Sequence, residues 1–598
     1  MGGLNVIINF KGEIMRKTKI VCTIGPASDS EKVLEALFKE GLDVCRLNFS
    51  HGTQEEHLER LKKIKNIRQK LNLPIATMLD TKGPEIRLGI FKDQKRISLE
   101  SGDRFTLTTR DLEGDEHIAS VSYKDLPHDV KEGSRILIDD GLVELRVESI
   151  EGTEIHCSCF NGGEISSRKG VNVPDAQVNL PALTEKDISD IKFAVKNDMD
   201  FIAASFIRKA EDVLDIRRIL EEEGDYDIKI ISKIESKEGL ENLDEIIEAS
   251  DGIMVARGDL GVEIDTEKVP LAQKNMIKKC NEKGKVVITA TQMLDSMIRN
   301  PRPTRAEAND VANAVLDGTS CVMLSGETAS GKYPIESVIT MRKILEVTED
   351  SMDFDEILRK KIEEISNTIT NAIGKSTCTI ARDLNAKAII TATTSGYTTR
   401  SISKFRPKSL IIGATTSEKV RRQLNMEWGV KSILVESKEI SNDVIDASIE
   451  TSVKKDLVSP GDTVIITAGV PVGLAGSTNL IKVEIIGEIL SKGIGIGDKE
   501  VTGRAVVIED EGDCIKKFKD GDIVVTQAVT QEMTKYLSRA AGLVVEEEGF
   551  TSPSAIVGIT LGLPTVVGNI DITKKIKSGD IITLSSPEGT IRKGKVLN

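Results

Sequence analysis

Aromatic residues are scarce in this 598-residue chain: 3% in all, with one tryptophan and five tyrosines. A protein that grips bases by stacking uses such rings in number, so that mode of nucleic-acid binding is not suggested. Surplus positive charge is missing too. The 81 Lys and Arg against 95 Asp and Glu leave −14, which argues against nucleic acid or an anionic membrane surface as partner. An anionic substrate would need a local basic pocket instead. No apolar run is long enough to span a bilayer. The opening MGGLNVIINFKGEI lacks the basic start and cleavage pattern of a secretory signal. Residues 1–14 read as a loose extension, with Met15, just before RKTKIVCTIG, as an alternative start. None of the eight cysteines forms a CxxC pair, which disfavours zinc or dithiol chemistry. Reduced core thiols and a cytoplasmic location are expected.

What is present is length and regular alternation. A chain this long exceeds one core, so three or four domains are expected. Apolar runs of strand length recur with helical spacers: TKIVCTIG, DVCRLNFSH, PIATMLDTKG, DMDFIAASF, KIISKIES, GIMVARGDLG, KVVITATQM and TSCVMLSGET. Eight strand–helix units with continuous apolar strands predict an α/β fold built on a (β/α)8 TIM barrel, over 15–87 and 185–357. More than a hundred residues separate the third and fourth strands, far beyond a normal crossover. That insert, 88–184, alternates polar and apolar residues and reads as a small β-barrel lid over the mouth. Strand–helix alternation resumes over 358–485 as a separate α/β domain, and 488–598 reads as a β-rich tail.

Polar residues at the C-terminal ends of barrel strands form active sites in this architecture. The second strand supplies Arg46, Asn48, Ser50 and His51; the third, Asp80, Thr81, Lys82, Glu85 and Arg87. The fifth gives Lys233 and Glu235, the sixth Arg257, Gly258 and Asp259, and the seventh Thr291 and Gln292. Glu235 and Asp259 are hard oxygen ligands suited to Mg²⁺ or Mn²⁺. The competing reading is a plain Lys233–Glu235 salt bridge. Asn48, Ser50, Asp80 and Thr81 offer one charge and several neutral oxygens, suited to a monovalent cation, although loop capping explains the same residues.

The stretches KTKIVCTIGPAS, RLNFSHG, LDTKGPEIR, ISKIES, VARGDLGVEI, ATQMLDSMIRNPRPTRAEANDVANAVLDG and MLSGETASGKYP resemble the pyruvate kinase family, over about residues 16–480. The resemblance implies phosphoryl transfer from phosphoenolpyruvate to ADP, giving pyruvate and ATP in a homotetrameric enzyme. It implies Mg²⁺ on Glu235 and Asp259, and K⁺ on Asn48, Ser50, Asp80 and Thr81. Glu85 is the acidic residue carried there by members that need K⁺. Arg46 and Lys233 would hold the phosphoryl group, and Gly258 and Asp259 the substrate carboxylate. Thr291 would order the water that protonates the enolate. Arg87, Lys169, His51 and Asn48 would meet the nucleotide.

Two stretches lie beyond this machinery. In TATTSGYTTRSISKFRP, residues Thr393, Thr394, Ser395, Gly396 and Thr398 could cradle a phosphate, or simply cap a helix. In similar kinases that loop binds a phosphorylated activator, so a phosphorylated allosteric effector is expected. EEEGFTSPSAIVGITLGLPTVVG resembles the phosphohistidine swivelling domain of phosphoenolpyruvate-using enzymes. Pro553 stands where that family carries its histidine, and all five histidines (51, 57, 117, 128, 156) precede the tail. A dikinase-like phosphotransferase is therefore disfavoured. A catalytically dead metabolite-binding scaffold is disfavoured by the presence of Arg46, Lys233, Glu235, Asp259 and Thr291.

Overall fold

The computed structural model describes residues 16–594, apart from 175, 177, 437–440, 470–477, 488 and 510. The expected N-terminal extension and Met15 lie outside the described residues. The chain divides into two compact units. The first holds everything up to Asn367 together with Thr394–Arg406 and Thr415–Ser432.

Its centre is a closed barrel of eight parallel strands. They are β1 (Lys19–Thr23), β2 (Val44–Asn48), β3 (Ala76–Asp80), β4 (Phe201–Ala204), β5 (Lys229–Ile234), β6 (Gly252–Ala256), β7 (Val286–Ala290) and β8 (Cys321–Leu324). Strand side chains alternate in direction, and the barrel sorts them accordingly. Val21, Val44, Met78, Ala203, Ile231, Met254 and Ile288 belong to the cluster filling the barrel. Ile230, Ile234, Ile253 and Val255, one residue out of phase, pack under the surrounding helices. Both faces are buried, which is why the strands read as unbroken apolar runs.

On β5 this alternation has a direct consequence. Lys229, Lys233 and Glu235 share the period of inward-facing Ile231, so the strand carries charge inward at both of its ends. Between β3 and β4 the chain forms a six-stranded sheet from Arg104 to Asn172, with a short antiparallel ribbon of Ile97–Leu99 and Gly163–Ile165. This sheet has its own buried core, including Phe105, Leu107, Ile136, Val143 and Leu145.

The second unit contains a sheet in which Leu410–Thr415, Ala388–Ala392 and Thr463–Gly469 run parallel and Thr478–Ile485 antiparallel. It also contains an eight-stranded mixed sheet built from Ile489 to Lys593. Pro553 opens the helix Pro553–Leu561, whose N-cap Ser552 accepts from the Ala555 N–H. Proline suits that first turn because its missing N–H has no helical partner there. The seven cysteines whose side chains are described are buried and unpaired. No helix among the described residues is long and apolar enough to cross a membrane.

Candidate active site

The C-terminal ends of the barrel strands converge as the strand-end rule requires. At the end of β2, Arg46 donates from Nε to Asp80 Oδ2 at 2.6 Å and from Nη1 to Thr23 Oγ1 at 2.7 Å. Asp80, closing β3 and 1% exposed, is shared with a second cation: Lys233 Nζ lies 3.1 Å from its Oδ1. That ammonium also donates to Ser205 Oγ at 2.8 Å and pairs with Glu235 Oε1 at 3.0 Å. Three strands, β2, β3 and β5, thus contribute to one chain of charges, Arg46–Asp80–Lys233–Glu235.

Burial governs how these groups titrate. For Asp80, burial alone would raise the carboxyl pKa, but Arg46 and Lys233 outweigh it and hold it below its ordinary value. Burial likewise works against the Lys233 charge, yet Asp80 and Glu235 beside it raise its pKa well above normal. Lys233 is a fixed cation. Glu235, 2% exposed, is pushed up to about 7, first by burial and then by the nearby Asp259 charge, with Lys233 opposing. Asp259 is also raised, mainly by burial, with Asp140 of the inserted sheet adding to it.

Two residues in left-handed backbone aim groups at this site. Phe206, at φ 54°, donates its N–H to Glu235 Oε2 at 2.6 Å. Thr291 sits at φ 64°, a costly conformation for a β-branched residue, and such strain persists only where the surroundings impose it. Arg257 supplies that force. Its Nη2 donates to the Thr291 carbonyl at 2.5 Å and its Nε to that of Ala290 at 3.0 Å, while Asp310 anchors the guanidinium at 2.6 and 2.8 Å. Thr291 Oγ1 in turn accepts the Gly258 N–H at 2.9 Å. Gly258 and Asp259 lie in the first turn of α1 (Arg257–Glu263), where helix N–H groups favour anions.

The monovalent-cation quartet lies on the neighbouring ends of β2 and β3, with Asn48 in register with Asp80. Asn48 Oδ1 accepts the Ser50 N–H at 3.1 Å, the loop-capping arrangement that composition also allowed. Thr81 Oγ1 accepts the Ser205 N–H at 3.0 Å. A cavity of about 460 Å³ opens beside these strand ends and is lined by Glu85, Arg87, Asp139, Lys169 and Asp259 among others. Within it Arg87 pairs with Glu85, and Lys169 with Asp139 at 2.8 Å. His51 is exposed on the loop after β2, and its carbonyl lies 2.8 Å from His57 Nε2. The five residues expected to bind an effector are not part of this network. Their helix, α2 (Tyr397–Ser403), is capped by Gly396 at φ 81° rather than by one of the hydroxyls.

The donor set fits a divalent cation. Glu235 is a buried carboxylate and Asp259 a half-buried one; burial first and then the Asp259 charge raise the Glu235 pKa, a strain that a hard cation relieves. Among the described residues no group of three or more His, Cys, Asp or Glu could hold a metal alone. Substrate and water oxygens would have to complete the shell.

Comparison with known proteins meets this geometry. Residues 15–338 match the family model "Pyruvate kinase, barrel domain", and 371–484 match "Pyruvate kinase, alpha/beta domain". The chain belongs to the pyruvate kinase family. A pyruvate kinase of Staphylococcus epidermidis is 50% identical over 97% of this chain and 99% of its own length. One of Staphylococcus aureus strain MRSA252 is 48% identical over the same shares. The solved structure of a pyruvate kinase from Cryptosporidium parvum aligns with a TM-score of 0.76 at 43% identity, covering 79% of this chain and 96% of that one. Residues 518–589 match the mobile domain of phosphoenolpyruvate-utilising enzymes. As a family member the protein is a phosphotransferase that converts phosphoenolpyruvate and ADP to pyruvate and ATP.

Sequence reasoning passed over Ser205 and Thr23, which hold Lys233 and Arg46 in place. Both stand at strand ends, Thr23 closing β1 and Ser205 following β4. The strand-end rule finds them as soon as it is applied to all eight strands. The N–H of Phe206 had no such signal, because its direction comes from a backbone angle that no side chain reports.

Proposed function

We propose that transfer takes place at the rim formed by β2, β3, β5, β6 and β7, with Arg46 and Lys233 on the migrating phosphoryl group. The observation that carries this reading is the buried chain Arg46–Asp80–Lys233–Glu235, in which two fixed cations face one mouth. Phosphoryl transfer spreads negative charge over oxygens in a loose transition state, so cations held in place beforehand supply most of the catalysis. Asp80 and Ser205 hold the Lys233 ammonium so that little reorganisation is needed when charge develops. Arg46, clamped by Thr23 and Asp80, acts on the same group from the other side. Lys233 then balances the enolate oxygen left after transfer. Thr291, held by Arg257, presents its hydroxyl where a water would deliver the proton. Gly258 and Asp259 receive the substrate carboxylate at the start of α1, and Arg87, Lys169, His51 and Asn48 meet the nucleotide phosphates.

Glu235 and Asp259 would hold Mg²⁺ or Mn²⁺, which when bound supplies positive charge to the substrate oxygens. Asn48, Ser50, Asp80 and Thr81 would hold K⁺. Both Asp80 oxygens already accept from cations, so that site leans on the neutral oxygens and on family resemblance. Initial rates with phosphoenolpyruvate and ADP should require both a divalent ion and K⁺. Glu235→Gln should raise the Mn²⁺ concentration needed for half-maximal rate at least tenfold and weaken direct Mn²⁺ binding in parallel. Unchanged Mn²⁺ binding in that variant removes Glu235 from the metal site.

An allosteric reading is favoured by Arg400, whose Nη2 donates back to the Ser395 carbonyl at 3.0 Å and ties the Thr393–Thr398 loop to its own helix. A phosphorylated activator would bind at that loop. Unaltered substrate cooperativity across a panel of sugar phosphates and AMP would remove this part. The homotetramer and cytoplasmic location also follow from the family. Sedimentation velocity on the full chain tests the first.

A further inference from the structure

A second cavity, of about 240 Å³, lies at the opposite end of the barrel, within the first unit. Its walls come from the start of β5, the segments leading into β6 and β7, helix α2 and the Gln423–Glu427 stretch. Five cations line it: Lys229, Lys283, Lys285, Arg400 and Lys404. Two carboxylates, Asp251 and Glu427, oppose them, which leaves the lining three charges positive on a chain whose net charge is −14.

Most of these groups have protein partners. Asp251 accepts from Arg217 and from the Ile230 N–H, Lys285 donates to the Ser250 carbonyl at 2.6 Å, and Lys283 pairs with Glu248. Lys229 differs. Its side chain is half-buried and points inward from β5, yet its ammonium makes no hydrogen bond or ion pair among the described residues. Burial lowers its pKa, with Asp251 only partly offsetting. Glu427, 8% exposed, has no ion pair among the described residues either.

We propose that this cavity is a binding site for a small phosphate-bearing molecule. Lysine ammonium groups are point charges suited to phosphate, and Lys229 supplies one whose hydrogen bonds are not already used. The volume falls below the range of drug-sized pockets, so the ligand is compact. When ionised, Asp251 and Glu427 are acceptors alone, and they suit hydroxyl or amino groups on the same molecule. Phe201, Ile231 and Val286 give it an apolar floor. The site is separate from the Arg46–Lys233 rim, and none of Thr393, Thr394, Ser395, Gly396 and Thr398 lines it.

Inorganic phosphate is the probe, followed by ³¹P NMR titration of the full chain. Because the rim can also take phosphate, the comparison is made in a Lys233→Met background. One phosphate site should persist there and weaken tenfold or more when Lys229→Met is added. Lys229→Arg should restore it, and Glu427→Gln should tighten it several-fold by removing a negative charge. The single Lys229→Met variant should keep kcat within twofold. Absence of any phosphate site in Lys233→Met overturns the proposal, as does equal affinity with and without Lys229, or weaker binding in Glu427→Gln.

Discussion

Two lysines four residues apart on β5 show what position does to one side chain. Lys233, at the C-terminal end, is gripped by Asp80, Ser205 and Glu235, and its pKa is raised. Lys229, at the N-terminal end of the same inward face, meets no comparable grip, and its pKa is lowered. The residue type and strand are the same, and both residues are half-buried. The difference lies in the neighbouring strand ends, because chemistry-bearing residues cluster where the barrel's loops begin. A lysine with its charge fixed is ready for an anionic transition state. One with its charge strained is waiting for a counter-ion.

The sharpest way to break this comparison is to exchange each lysine for methionine, which keeps length and removes charge. Lys233→Met should lower kcat by roughly a hundred- to a thousandfold, the scale seen when a preorganised electrostatic donor is removed. Its Mn²⁺ affinity, read by electron paramagnetic resonance, should stay within a few-fold because Glu235 and Asp259 remain. Lys229→Met should leave kcat within twofold. Comparable losses in both would erase the distinction between the two ends.

A buried acid at the lower end gives the next largest effect. Glu427 is pushed up to about 7, first by burial, with Arg400 and Lys19 opposing. A carboxyl with a raised folded-state pKa binds more protons folded than unfolded, so stability falls as pH rises from about 4.5 to 7. The shift corresponds to something on the order of 3 kcal/mol. Glu427→Gln should flatten this part of the stability profile in urea titrations and stabilise the protein above pH 7. An unchanged profile would mean that Glu427 is already compensated.

Much of this organisation was legible in the chain because it rests on periodicity. Eight apolar runs with helical spacers pointed to a closed parallel barrel, and strand-end positions followed from that. Arg46, Asp80, Lys233 and Glu235 were thereby placed at one rim, and the structure joins them by direct bonds. Asn48 and Ser50 were less decidable, since the same residues cap loops and ligate cations, and the Ser50 N–H to Asn48 Oδ1 bond is compatible with both. The lower cavity was invisible. Lys229 sits two residues from Ile231 in a run that looks purely structural, and the residues that line the cavity with it come from 251, 283–285, 400–404 and 427, segments distant in sequence. Nor could composition report that Arg257, counted with the rim, faces back into the protein to hold Thr291 in left-handed backbone.

Ser205 refines the upper end. Its hydroxyl accepts from Lys233 and donates to the Thr81 carbonyl at 2.6 Å, so it links the ammonium to β3. Ser205→Ala removes one of three anchors on Lys233 and leaves both carboxylates. A loss of about 1 kcal/mol in transition-state stabilisation follows from one hydrogen bond, or roughly five- to tenfold in kcat, with little change in KM. A rise in KM alone would assign Ser205 to substrate binding instead.

The smallest effect is also the most diagnostic, because its size changes with pH and with phosphate. A lysine whose pKa is lowered on folding binds fewer protons folded than unfolded, so it destabilises the protein below its folded pKa, and that cost fades as pH climbs towards 10.5. Lys229→Met should therefore raise stability at neutral pH by about 1 kcal/mol or less, since swapping a strained buried charge for an apolar group is often stabilising. The gain should shrink towards pH 10.5. Adding inorganic phosphate should narrow it further, because an anion that binds only the folded wild-type protein stabilises that form alone. A gain that stays constant from pH 7 to 10, with or without phosphate, would place the Lys229 ammonium in open solvent and remove the contrast with Lys233.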